Sequence, residues 1–160
     1  MEEDLKQLQE ELESLLQNKQ YSELRARMKD INAADIADIM DDMENEDSLK
    51  MFRILPKDMA ADVFADLEMD DQQYIITSLS DKEASNIIDN LYADDATDLL
   101  EEMPANIVKK ILASAHPDTR KDINHLLRYP DDSAGSLMTV EFVDLRAKMT
   151  VSEAIVRIRR

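Results

Sequence analysis

A step of 24 residues returns apolar side chains to the same register along most of the chain, and this period constrains the fold more than any other feature. One register runs Met51, Ile75, Leu99 and Ile123. The next runs Met28, Phe52, Ile76 and Leu100, and a third Ile31, Leu55, Leu79, Met103 and Leu127. The second half of each unit repeats as Ile36, Ala60, Ala84 and Val108, as Ile39, Val63, Ile87 and Ile111, and as Met40, Phe64, Ile88 and Leu112. Within each half, the three- and four-residue spacings describe one face of a helix. Asn32, Pro56, Ser80 and Pro104 lie between the halves, where such residues cap or open helices. Asp70, Asp94 and Asp118 stand at the other junction, where a carboxylate can accept orphan N–H groups and meet the positive end of the dipole. Each unit is therefore expected to be a pair of helices of roughly 10 residues. One such pair cannot bury its own apolar face, so the pairs must stack. The expected fold class is all-α, a right-handed superhelical stack of short helix pairs.

The composition agrees with this reading. One Gly and four Pro leave few helix breakers, and 44% apolar residues supply a core that a disordered acidic segment would lack. The ten Met fall mostly on the apolar registers and read as core filling. A first helix is expected from Glu2 to about Asn18, with Leu5, Leu8, Leu12 and Leu15 on one face as an end cap. With no Cys, disulfides and thiolate metal sites are excluded, which is compatible with a reducing compartment. The opening "MEEDLKQLQEELESLL" is acidic where a secretory signal is basic, and no apolar run is long enough to span a bilayer. No membrane insertion by these residues is expected.

The repeat stops at "RYPDDSAGSLMTVEFVDLRAKMTVSEAIVRIRR". Pro130 and Gly135 mark a linker, "VEFVDL" reads as a short strand, and "TVSE" from Thr150 to Glu153 is a capping box opening a helix. The expected organisation is a helical-repeat domain over 1–128, a linker over 129–139, and over 140–160 the incomplete beginning of a second, α/β domain.

The net charge of −17 lies wholly in residues 1–130, which hold 31 acids against 14 bases. Such a surface repels nucleic acid and anionic lipid and attracts cations or basic partners. Catalysis is not expected, because the chain has no phosphate loop, nucleophile elbow, HExxH or Cys. His116, in a helix–helix turn, and His125 read as structural or solvent-facing. An EF-hand reading of "DDMENEDSLKMF" fails because Asp47 stands where the loop needs Gly.

The carboxylates are densest in "LYADDATDLLEEMP". Leu91, Leu99, Leu100 and Met103 form its apolar stripe, and Asp94, Asp95, Asp98, Glu101 and Glu102 crowd the rest. Asp94 and Asp98 are i and i+4, so their charges stand one above the other, at a cost of a few tenths of a kcal/mol unless a cation offsets it. Mg²⁺ suits such a pair, since it is held by one or two carboxylates while keeping several waters. Capping and solubility would account for the same acids, and both readings stand at this point.

The acidic 24-residue repeats, the linker "RYPDDSAGSLMT" and the βα start "VEFVDLRAKMTVSEAIVRIRR" together resemble the cytosolic part of MgtE-family magnesium transporters and channels. The resemblance covers essentially all 160 residues and is most specific from Tyr129 to Met138. It implies an acidic helical N domain, followed in the family by a tandem CBS domain and a membrane pore, on the cytoplasmic side of the cell membrane. It implies a homodimer in which Mg²⁺ bridges the N domain, the CBS domain and the pore-linked helix and so closes the pore. The implied ligands are Asp94 and Asp98, from "ADDATD", and Asp62, from "AADVF". Residues 1–160 contain neither the adenosine-binding CBS residues nor the pore, so they are expected to sense and not to transport. The alternative is an acidic helical scaffold of the flagellar motor-switch type, which binds protein and no metal.

Overall fold

Short amphipathic segments separated by capping residues can only form short helices. The computed structural model, which describes residues 2–57, 59–130 and 133–159, consists of such helices. They are α1 (Glu2–Gln17), α2 (Tyr21–Met28), α3 (Ala33–Asp41), α4 (Asn45–Ile54), α5 (Ala60–Asp66), α6 (Met69–Ser78), α7 (Asp81–Ile88), α8 (Ala93–Glu101), α9 (Ala105–Ser114), α10 (Pro117–Leu126) and α11 (Val151–Ile158). Each helix packs on the helix of like position in the next unit. One row is α3, α5, α7 and α9; the other is α2, α4, α6, α8 and α10; and α1 covers the first end against α2 and α3. This is the expected stack of helix pairs, with its core between the rows.

The registers are buried as their spacing requires. Met51, Ile75, Leu99 and Ile123 are inaccessible or nearly so, as are Met28, Phe52, Ile76 and Leu100, and Val63, Ile87 and Ile111 are buried. Leu79, Val108, Leu112 and Leu127 are half-buried, three of them near the last units, where fewer neighbours cover them.

The helix starts follow the sequence in part. Asn32 caps α3 by accepting the Ala34 N–H, and Ser80 and Glu83 form a reciprocal capping box on α7. After Pro56 the chain makes a separate turn, closed by the Met59 N–H on the Pro56 carbonyl, so α5 starts late and is only 7 residues long. Asp70, Asp94 and Asp118 are not caps. Glu68, Tyr92 and His116 hold the N-cap positions, two residues earlier, so these aspartates lie inside the first turn, beside the positive end of the dipole. His116 is itself a cap, its Nδ1 accepting the Asp118 N–H at 3.4 Å.

Two caps come from a neighbouring unit. The Asp41 carboxylate, at the end of α3, accepts the Glu68 N–H at 3.2 and 3.3 Å. Asp89 Oδ1, just after α7, accepts the His116 N–H at 2.8 Å. Each bond joins residues 27 apart, and the second bond repeats the first two units further along the chain. The register position midway between Asp41 and Asp89 is Ala65, which has no carboxylate to offer the start of α8.

Beyond α10 the chain changes character. A Cβ on Gly135 would collide with the Tyr129 ring, so only glycine lets the linker pass against it. The Tyr129 ring in turn stands edge-on to His125, 5.5 Å between centroids. Residues 140–145 do not form the strand expected of "VEFVDL". A strand needs a ladder partner, and among the described residues no second extended segment lies beside it. The capping box at Thr150 and Glu153 does open α11, and Arg157 of α11 pairs with Asp144. Val151, Ile155, Val156 and Ile158 leave an apolar face of α11 uncovered, and Phe142 and Leu145 are exposed nearby in sequence.

Candidate cation-binding site

The start of α8 gathers carboxylates from three parts of the chain. The α8 sequence ADDATDLLE puts Ala93, Ala96, Thr97, Leu99 and Leu100 into the core. Helical geometry then obliges Asp94, Asp95 and Asp98 to share the outer surface. The N-cap, Tyr92, makes no side-chain cap bond. Instead Glu141 Oε1, 48 residues further on, accepts the Ala93 N–H at 3.0 Å. Its other oxygen, Oε2, accepts the Thr139 hydroxyl at 2.8 Å.

The charges are felt across this group. Asp95 is exposed, yet protein on one side strips part of its hydration and raises its pKa, with the negative charges of Asp94, Asp98, Glu141 and Asp66 adding to the rise in that order. Asp98 is raised by the same partial desolvation and then by Asp94. Asp94 is half-buried, and its Oδ1 is shielded from solvent with no hydrogen-bond partner. A shielded carboxylate oxygen without a donor is costly, and a hard cation offsets that cost.

The structure brings Asp94 and Asp98 together as their spacing requires, and adds Asp95, Asp66 and Glu141. Asp62 is not among the charges that act on Asp95 or Asp98. It is exposed in the first turn of α5, and its carboxylate makes no hydrogen bond or ion pair with another described residue. The α5 acid whose charge reaches α8 is Asp66, one turn later. Nothing local marked Asp66 or Glu141, since their relation to α8 depends on stacking and on the path of the linker. Among the described residues, no three Asp, Glu, His or Cys side chains converge closely enough to hold an ion by themselves. The donors are nonetheless all carboxylate oxygens, which fit Mg²⁺ bound through one or two ligands and its own waters.

A second acidic locus has a structural explanation. The Asp41 pKa is pushed from 3.8 to about 6, chiefly by burial, against the lowering effect of the Glu68 N–H bond and with the nearby charges of Asp71 and Glu68 adding to the rise. A carboxylate raised in the folded state favours folding when protonated, so its contribution is present at low pH and is lost as the pH rises from about 4 through 6. Asp41→Asn keeps an acceptor for the Glu68 N–H and removes the charge. At pH 7.5 it is expected to stabilise the fold by about 1 kcal/mol, a figure reduced for solvent screening at a half-exposed site, and by almost nothing at pH 4. Urea midpoints at the two pH values check this; equal differences at both would show that the charge carries no strain.

The sequence matches the MgtE intracellular N domain over residues 31–132. A curated relative, the magnesium transporter MgtE of Thermus thermophilus, is 37% identical over 153 residues, covering 93% of this chain and 34% of the relative. The chain thus spans about a third of that protein's length. The crystal structure of the soluble part of a magnesium transporter superposes with a TM-score of 0.84 at 25% identity, over 97% of this chain and 61% of that one. The cytosolic domain of the Mg²⁺ channel MgtE, solved in complex with ATP, superposes with a TM-score of 0.80 at 31% identity, over 92% and 61%. No described helix is long and apolar enough to cross a membrane. With the helical stack, the acidic start of α8 and the match over residues 31–132 in agreement, this chain belongs to the MgtE intracellular N domain family.

Proposed function

We propose that this chain is the cytosolic Mg²⁺-sensing module of a magnesium transporter or channel, acting by regulation and not by catalysis. The observation that carries the reading is the carboxylate group at the start of α8, where Asp94 Oδ1 is shielded without a donor and Asp98 stands one turn above it. Two carboxylates with solvent access make a weak site by themselves. In the complete protein, a CBS domain and a pore-linked helix supply further ligands, and Mg²⁺ bridging them to the N domain holds the pore closed. The uncovered apolar face of α11 fits the start of that CBS domain, which residues 140–160 open. A homodimer presents two such modules to one pore. Acidic faces repel when bare and close around divalent ions, so the Mg²⁺ concentration sets the population of the compact state. Asp62, exposed on α5, belongs to the same proposal as a ligand that only an approaching domain would bring into use.

The test compares the wild type with Asp94→Asn/Asp98→Asn in protein extended through the whole second domain. Compaction is followed by small-angle scattering and protease protection against Mg²⁺ concentration. The double variant should move the midpoint to about tenfold higher Mg²⁺, with unchanged helical content, because two charged ligands are lost at nearly constant shape. The 160-residue chain alone should bind Mg²⁺ more weakly than the extended protein. An unchanged midpoint would assign these aspartates to solubility and leave the protein-binding scaffold as the function.

A further inference from the structure

The start of α8 is held differently from its neighbours in the same row. For α6 and α10 a carboxylate 27 residues upstream, Asp41 or Asp89, accepts the N–H of the N-cap residue. The corresponding residue before α8 is Ala65, and the carboxylate that reaches this helix end comes from the linker side. Glu141 takes the N–H of Ala93, one residue into the helix, and is preset for it by Thr139, whose hydroxyl donates to Oε2 and accepts the Glu141 N–H at 3.3 Å. A bond across 48 residues therefore fastens the beginning of the second domain to the helical stack. It does so beside Asp95, a neighbour of Asp94 and Asp98, whose charge and that of Glu141 oppose one another.

We infer that Glu141 is a positioning residue, a latch whose hold on α8 tightens when a divalent cation occupies Asp94 and Asp98; this rests on the cation reading proposed above. Without the cation, the N–H bond and the helix dipole favour docking while the negative charge at Asp95 opposes it. A divalent charge at Asp94 and Asp98 removes that opposition, so ion occupancy draws the linker onto the stack. The coupling is reciprocal, and a docked Glu141 raises the affinity for the ion by the same factor. The break in the pattern of upstream carboxylates thus places the linker's attachment at the start of α8, next to the cation-binding acids.

Amide exchange by NMR on the 160-residue chain, with Mg²⁺ or NaCl at matched ionic strength, tests the latch. Glu141→Ala should speed exchange of the Ala93 amide about tenfold while leaving Glu68 and His116 unchanged, since their acceptors are Asp41 and Asp89. Mg²⁺ should slow Ala93 exchange several-fold in the wild type. Glu141→Gln, which keeps an acceptor oxygen and loses the charge, should hold Ala93 with little response to Mg²⁺. Equal Ala93 exchange in wild type and Glu141→Ala overturns the latch. So does wild-type Ala93 exchange that ignores Mg²⁺ while the Asp94 and Asp98 signals titrate, a result that leaves the cation site standing. Asp94 and Asp98 signals that never move with Mg²⁺ would remove the site, and the latch with it.

Discussion

Phe64→Ala is expected to destabilise the fold by about 3–5 kcal/mol, the largest effect of any single truncation considered. Phe64 is fully buried in α5, and its ring meets Phe52 of α4 edge-on, 5.9 Å between centroids and 65° between planes. It stands in the register of Met40, Ile88 and Leu112, at the middle of the stack. Helix α5 has only 7 residues, so little backbone hydrogen bonding remains to hold it once its anchor is gone. In a stack of units that contact mainly their neighbours, a cavity there weakens the coupling between the two ends. Urea unfolding followed by circular dichroism should therefore show a lower midpoint and a shallower slope, as the halves cease to unfold together. A loss below about 1 kcal/mol with an unchanged slope would mean that the stack is not joined through α5.

Ile87→Ala is expected to cost about 2–5 kcal/mol, whereas His116→Ala should cost under about 1 kcal/mol. Ile87, on α7, is 6% exposed and belongs to the core cluster. It borders an open groove of about 670 Å³ whose walls include Phe52, Leu55 and Leu79. Water can enter from that side, which places the cost in the lower part of the range. His116 contributes one long cap bond at an exposed turn, and Asp89 still holds the His116 N–H after the side chain is removed. Denaturant midpoints that ranked the two variants the other way would show that the core lies elsewhere.

The helical stack was legible in the sequence because its information is local and repeated. Apolar spacing of three and four, renewed every 24 residues, leaves one way to bury Met51, Ile75, Leu99 and Ile123 together. The helix start at Ser80 and the capping box at Thr150 were legible for the same reason, since the residues that make them lie within three positions of one another. The i, i+4 pair Asp94 and Asp98 was equally plain.

What the sequence left open depends on where one unit sits against another. Asp41 and Asp89 become caps only because stacking brings the end of one helix to the start of another 27 residues on, and Asp70, Asp94 and Asp118 then need not cap at all. Asp66 enters the acidic group only through the packing of the two rows, and Glu141 only through the path of the linker. The segment "VEFVDL" has strand composition, but a strand is a pairing, and no residue within it can supply the partner. Periodicity along the chain thus determined which faces are buried. Long-range hydrogen bonding and shared electrostatic fields, which carry no signature in local spacing, were decided only by the tertiary structure.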